Sequence, residues 1–128
     1  MQAVMTRISL TKPDDWHLHL RSGEAMKSVV VMSAAQMGRA IVMPNLSPPI
    51  KSVHQAQAYR KKIIEALPMS SNFNPLMVIY LTDNTSPKDI VEAGAASEVY
   101  AAKLYPAGST TNSDSGVTSV DNIYPALE

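Results

Sequence analysis

The stretch PDDWHLHLR, residues 13–21, carries two of the chain's three histidines with one leucine between them. In an extended strand, side chains alternate faces. His17 and His19 would then share a face, roughly 6.6 Å apart at the backbone. Two imidazoles at that spacing can converge on one metal ion. Asp15 and Arg21 fall on the same face by alternation. Trp16, Leu18 and Leu20 fall on the other, an apolar surface suited to packing against helices. A bare His-x-His is more often a solvent-facing or hydrogen-bonded pair. Zinc takes four ligands in structural sites, or three plus water in catalytic ones, so two histidines alone do not make a centre.

Lys103 stands inside VYAAKLYP, an otherwise apolar run. Burial would hold its amine below the ordinary lysine range. A neutral amine is a nucleophile or Schiff-base former, and it can add carbon dioxide to become an anionic carbamate with two oxygen donors. An edge-strand lysine reaching for water fits the same run equally well. Asn45 follows Pro44 at the end of a strand, where a turn residue is also common. Arg21 has the planar fork that clamps a carboxylate, although surface arginines are as frequent. Thr110 and Thr111 lie in the polar stretch AGSTTNSDSGVTS, either a lid over a site or a solvated connection. His54 reads as a surface residue opening a helix. The eight methionines read as core filling.

Two apolar periods alternate along the chain and must position these residues. Asp15 to Leu20 reads as a strand ended by Gly23. Glu24 to Met37 reads as a helix closed by Gly38. Arg39 to Met43 is a buried strand stopped by Pro44, and NLSPPIKS is a loop. Val53 to Leu67 is a second helix, ended by Pro68. The run PLMVIYLT from Pro75 is the third strand. Pro87 suits the first position of a short helix. Val99 to Tyr105 is the fourth strand, and Val120 to Glu128 opens a fourth helix. Strands alternating with helices predict a parallel sheet of βαβ units. An open doubly wound sheet and part of a (β/α)8 barrel both satisfy that order. His17 and His19 precede a glycine turn at the carboxyl end of the first strand, where barrel enzymes place their chemistry. No G-x-G-x-x-G or G-x-x-x-x-G-K-[ST] follows any strand, which weakens a nucleotide-binding reading.

Composition narrows the function classes. The chain has 128 residues, 45% of them apolar, and a formal net charge of zero. It reads as one domain, with no basic stripe for nucleic acid. There are no cysteines, so disulfides and thiolate metal sites are excluded. No apolar run reaches a membrane-spanning length. The opening MQAVMTRISLTKP is not a convincing signal or transit peptide.

PDDWHLHLR, GRAIVMPNLSPP, FNPLMVIYLTD and AAKLYPAGSTTNS together resemble the dihydroorotase family, in its short single-domain form. The likeness runs from about Pro13 to the end, and the plant enzymes look nearest within it. His-x-His alone marks the wider amidohydrolase superfamily, hydantoinases included; its combination with MPN and KLYPA is more specific. The resemblance implies a TIM-type barrel with two zinc ions. The implied reaction is reversible cyclisation of N-carbamoyl-L-aspartate to dihydroorotate in pyrimidine biosynthesis. By position, His17 and His19 match ligands of one zinc. Lys103 matches the carbamylated lysine that bridges both metals. Arg21 and Asn45 match residues holding the substrate carboxylate, and Thr110 and Thr111 match the mobile loop. Ser22 departs from the family's Arg-Asp-Gly and removes a carboxylate near the site.

Length is the larger departure, since a (β/α)8 barrel takes about 250 residues. The expectation is therefore a truncated (β/α)4 half barrel, with residues 1–128 as the amino-terminal half of the barrel domain. The remaining histidines and the catalytic aspartate would lie in the other half, so no catalytic residue is expected here and the fragment should be inactive alone. The competing readings are a non-catalytic half barrel that pairs with itself or with a full-length subunit, and another cyclic amidohydrolase such as a hydantoinase. Expected partners are a small-molecule substrate and, by family, further copies of the chain, with neither nucleic acid nor membrane. The expected location is cytoplasmic, or mitochondrial or plastid if a targeting segment has been lost.

Overall fold

The computed structural model describes residues 7–128; positions 1–6, the start of the stretch read for a targeting segment, lie outside the described residues. Four strands alternate with helices: β1 (Asp14–Leu18), α1 (Gly23–Gln36), β2 (Arg39–Val42), α2 (Val53–Glu65), β3 (Asn74–Tyr80), α3 (Pro87–Ala95) and β4 (Val99–Lys103). A 3-10 turn, Val120–Ile123, then leads into a short α4, Tyr124–Leu127. The single helix expected over 120–128 is thus two short pieces.

Local chemistry sets several of these limits. Ser86 caps α3 by accepting from the Asp89 amide, while the Asp89 carboxylate accepts from the Ser86 amide, and Pro87 occupies the first turn. This reciprocal box satisfies backbone donors that a helix start otherwise leaves without partners. Ser52 caps α2 by accepting from the Gln55 amide, while the Gln55 side chain accepts from the Lys51 amide.

The four strands form one parallel sheet in the order β1-β2-β3-β4. A doubly wound sheet reverses its strand order at a switch point. Here every strand lies beside its neighbour in sequence, as consecutive strands of a (β/α)8 barrel do. Of the two architectures open to the sequence, the half barrel is the one formed.

The sheet's helix-facing side makes the core. Ala40, Val42 and Met77 pack there with Met26, Val30 and Ala34 of α1 and Ala56, Tyr59 and Ile63 of α2. The loss of water contact by these apolar groups is the main stabilising force. A smaller cluster of Leu81, Val117 and Ile123, with Ile90 against it, ties the chain's last segment to α3.

One expectation needs correction. Trp16 does not pack under the helices; it is 64% exposed. β1 is an edge strand whose register against β2 shifts between Asp15 and Leu18, and Trp16 lies beside the Arg39 guanidinium, 6.0 Å from its ring centre. The fourth strand lies at the opposite edge, with Tyr100, Ala101 and Ala102 exposed, as the edge-strand reading of Lys103 has it.

Candidate metal and carboxylate site

His17, His19, Arg21, Asn45, Lys103 and the loop with Thr110 and Thr111 gather toward the carboxyl ends of the strands. β1 ends at Leu18, so His19 and Arg21 lie just beyond it. The two rings nonetheless meet: His17 Nε2 and His19 Nε2 are 3.1 Å apart. At that separation the nitrogens either share one proton or, with both protons on Nδ1, turn two lone pairs toward one ion. Two ligand nitrogens of a tetrahedral zinc, each at about 2.0–2.1 Å, stand roughly 3.3 Å apart. The pair is spaced for that role.

Protonation suits a ligand as well. Burial, followed by the nearby Arg21, Lys103 and His17, pushes His19 down to about 4, so the ring is neutral at physiological pH. Arg21 adopts a left-handed backbone, φ 60°, which ends the strand's alternation; the shared face does not place it. Its carbonyl accepts a 2.6 Å hydrogen bond from the Tyr59 hydroxyl. The guanidinium is close enough to depress both His19 and Lys103, and its Nη1 is buried without a hydrogen-bond partner. Asp15 does not join the histidine rings; its carboxylate accepts from the His17 backbone amide at 2.9 Å.

Lys103 and His17 line one shallow depression of about 340 Å³, floored by Ile41, Met43, Val78 and Ala101. This is the side of the sheet opposite the helices. Burial, then Arg21, lowers the Lys103 pKa, which enlarges the neutral-amine fraction. Its Nζ donates to Asn45 Oδ1 at 3.3 Å and lies 5.0 Å from the Tyr105 ring centre. Asn45 is 2% exposed and donates through Nδ2 to the Thr111 carbonyl at 3.0 Å. The loop bearing Thr110 and Thr111 is therefore folded onto the site. His54 is exposed in the first turn of α2.

Three contributors had no signal in the sequence. Tyr59 fixes Arg21 from α2. Asn112 donates to the Asn45 carbonyl. Ser113, wholly buried, closes the loop by accepting from the Thr110 amide and donating to its carbonyl. Each acts across a distance in sequence or inside a loop without periodicity. Among the described residues, no three His, Cys, Asp or Glu side chains gather as a metal site. The paired imidazole nitrogens of His17 and His19, with Lys103 lining the same depression as His17, fit part of a zinc coordination sphere.

Known proteins give the arrangement a context. No family model matches the chain. It is 60% identical over 122 residues to the dihydroorotase of Pseudomonas syringae pv. syringae (strain B728a), a match covering 95% of this chain and 35% of that protein. The dihydroorotase of Ectopseudomonas mendocina (strain ymp) is 59% identical with the same coverage. Among solved structures, dihydroorotase from Campylobacter jejuni superposes with a TM-score of 0.81 at 36% identity, over 91% of this chain and 34% of that one. Dihydroorotase from Saccharomyces cerevisiae, in complex with 5-fluoroorotic acid, gives 0.79 at 32% identity, over 88% and 31%. The chain spans about a third of the length of these relatives. Four strands are half of an eight-stranded barrel, but the share of length is smaller than half. The plant likeness gains no support from these pseudomonad relatives.

Proposed function

We propose, from a chain that is a homologue of the dihydroorotases over nearly all of its length, that it forms the amino-terminal part of such an enzyme's barrel domain. The reaction is reversible cyclisation of N-carbamoyl-L-aspartate to dihydroorotate. The observation that carries the reading is the meeting of His17 and His19 nitrogens at 3.1 Å, in a chain 60% identical to a protein of that name.

In this reading His17 and His19 would hold a zinc ion, and Lys103, once carbamylated, would offer anionic oxygen donors to the metal centre. Bound zinc supplies a Lewis acid that polarises the amide carbonyl. The chain's own residues prepare the rest. His19 is held neutral, so its lone pair needs no proton removed at physiological pH. The lowered pKa of Lys103 raises the share of amine that can attack carbon dioxide; the nitrogen–carbon bond forms as one carbon–oxygen π pair moves onto oxygen, and the nitrogen's extra proton passes to solvent water. Arg21 offers a buried guanidinium nitrogen without a partner, suited to a carboxylate. Asn45, held by Lys103, supplies an amide donor. Thr110 and Thr111 stand in the loop over the site. The general base is supplied by residues outside this chain, so residues 1–128 alone should not turn over substrate. A cytoplasmic setting belongs to the same proposal and agrees with the absence of cysteine.

A chimera tests it. The matched 122 residues replace the corresponding segment of the Pseudomonas syringae relative, and cyclisation of carbamoyl-aspartate is measured with zinc present. Retained turnover, lost on His17→Ala, is the expected result. A folded, zinc-loaded chimera without turnover would refute the reading. The second reading, a non-catalytic half barrel that associates with itself or with a complete subunit, is favoured by the outer edges of β1 and β4, which pair with no strand among the described residues. Sedimentation of the chain at micromolar concentration decides it; a well-folded monomer counts against it. A hydantoinase-type substrate ranks below both, because Arg21 and Asn45 suit a free carboxylate.

A further inference from the structure

The loop after β4 meets Asn45 through hydrogen bonds that run in both directions. Asn45 Nδ2 donates to the Thr111 carbonyl at 3.0 Å. Asn112 Nδ2 donates to the Asn45 carbonyl at 3.3 Å. Asn45 is almost wholly buried, so its polar groups require protein partners. Lys103 Nζ fixes the far end of the same amide, at 3.3 Å from Oδ1. An amine donates and a backbone carbonyl accepts, so Lys103 and Thr111 impose the same orientation on the Asn45 side chain. One of its two N–H bonds is then left to point at a ligand.

Asn112 governs this arrangement twice over. Its φ of 55° lies in the left-handed region, which asparagine tolerates better than most residues. That torsion sets the direction of the peptide holding the Thr111 carbonyl. Its side chain then anchors the turn to Asn45. The turn is internally closed by Ser113, which bonds both the amide and the carbonyl of Thr110. The loop thus reaches Asn45 as a preformed unit, and its attachment rests on Thr111 and Asn112.

Resting on the reading of Asn45 as a carboxylate ligand, we propose that Asn112 is a positioning residue: it docks the loop on Asn45 and so presents the remaining Asn45 N–H to the substrate carboxylate.

Hydrogen exchange without ligand tests the docking. Asn112→Ala removes the donor and disfavours the left-handed turn; Asn112→Gly removes the donor alone and keeps the turn. Losing one neutral hydrogen bond should speed amide exchange in segment 106–118 by about two- to tenfold in the glycine variant, and further in the alanine variant. Exchange in β3 should stay unchanged. A glycine variant matching wild type would show that backbone conformation alone docks the loop, and the proposal fails. An unaltered alanine variant refutes it outright. The presenting role is read from the Asn45 side-chain amide resonance during titration with N-carbamoyl-L-aspartate. Half-saturation should rise about two- to tenfold in Asn112→Gly; an unchanged value overturns this half. If the wild-type resonance ignores the ligand, the carboxylate role of Asn45 falls and the presenting half of the proposal with it, while chimera turnover separately judges the dihydroorotase reading. Docking is still judged by exchange alone.

Discussion

Tyr59→Phe probes how α2 holds the carboxylate arm of the site. The Tyr59 hydroxyl is buried and donates to the Arg21 carbonyl at 2.6 Å. The substitution removes one short hydrogen bond and leaves that carbonyl without its partner, costing about 1–2 kcal/mol near neutral pH. A second effect depends on pH. Burial pushes the Tyr59 ionisation up to about 12, against an ordinary value of 10.0. The folded state therefore resists ionisation that the unfolded chain undergoes freely. Stability from this source is intact below pH 10 and is lost as pH rises from 10 to 12. At pH 11 the unfolded tyrosine is about tenfold more weighted by its ionised form than the folded one, which costs the wild type about 1.4 kcal/mol. Phenylalanine has nothing to ionise. Urea denaturation of both proteins at pH 8 and pH 11 reads the difference directly. The wild type should lead by about 1–2 kcal/mol at pH 8 and by about zero at pH 11. Titrations common to both proteins, Tyr80 included, cancel in the comparison. A gap that is the same at both pH values would refute the reasoning, because the hydroxyl would then be as free to ionise folded as unfolded.

Other perturbations follow from the same packing and capping logic. Ile63→Ala empties a site of zero exposure between α2 and the sheet and should cost about 2–5 kcal/mol in urea denaturation; a loss under about 1 kcal/mol would mean the core collapses around the gap. Ser86→Ala removes the hydroxyl that caps α3 and leaves only the backbone half of the box; it should lower stability by about 1 kcal/mol, and an unchanged denaturation midpoint would count against the cap. At Gly116 an added Cβ would lie 2.5 Å from the Tyr105 carbonyl oxygen, so Gly116→Ala should push the loop off its seat and speed its proteolysis. A loop as resistant as wild type would show that the backbone yields without undocking.

Much of the site was legible before any coordinate. The two-residue period put His17 and His19 on one side, and Gly23 and Pro44 marked the strand ends where active groups collect. Lys103 stood out as a lysine in an apolar run. Alternating strand and helix signals restricted the sheet to parallel pairing. These features are local: each depends on a few neighbouring residues and on the geometry of extended chain. Strand order was not local, because β-α-β units build an open sheet or a barrel with the same sequence periods. Only the packed sheet, ordered β1-β2-β3-β4, separated them.

The failures have the same cause. Alternation predicted that Trp16 packs inward, but a register shift on an edge strand leaves it exposed. It predicted that Asp15 and Arg21 share the histidine face, but Asp15 turns to its own backbone and Arg21 leaves the strand conformation. Tyr59 holding Arg21 joins residues 38 apart, and Asn112 holding Asn45 joins residues 67 apart. No spacing rule reaches that far. The sequence by itself determined which groups could do chemistry and which strand ends carry them, because local backbone geometry settles both. The tertiary structure decided how those groups are held, neutralised and oriented, because burial and hydrogen-bond partners exist only once distant segments meet.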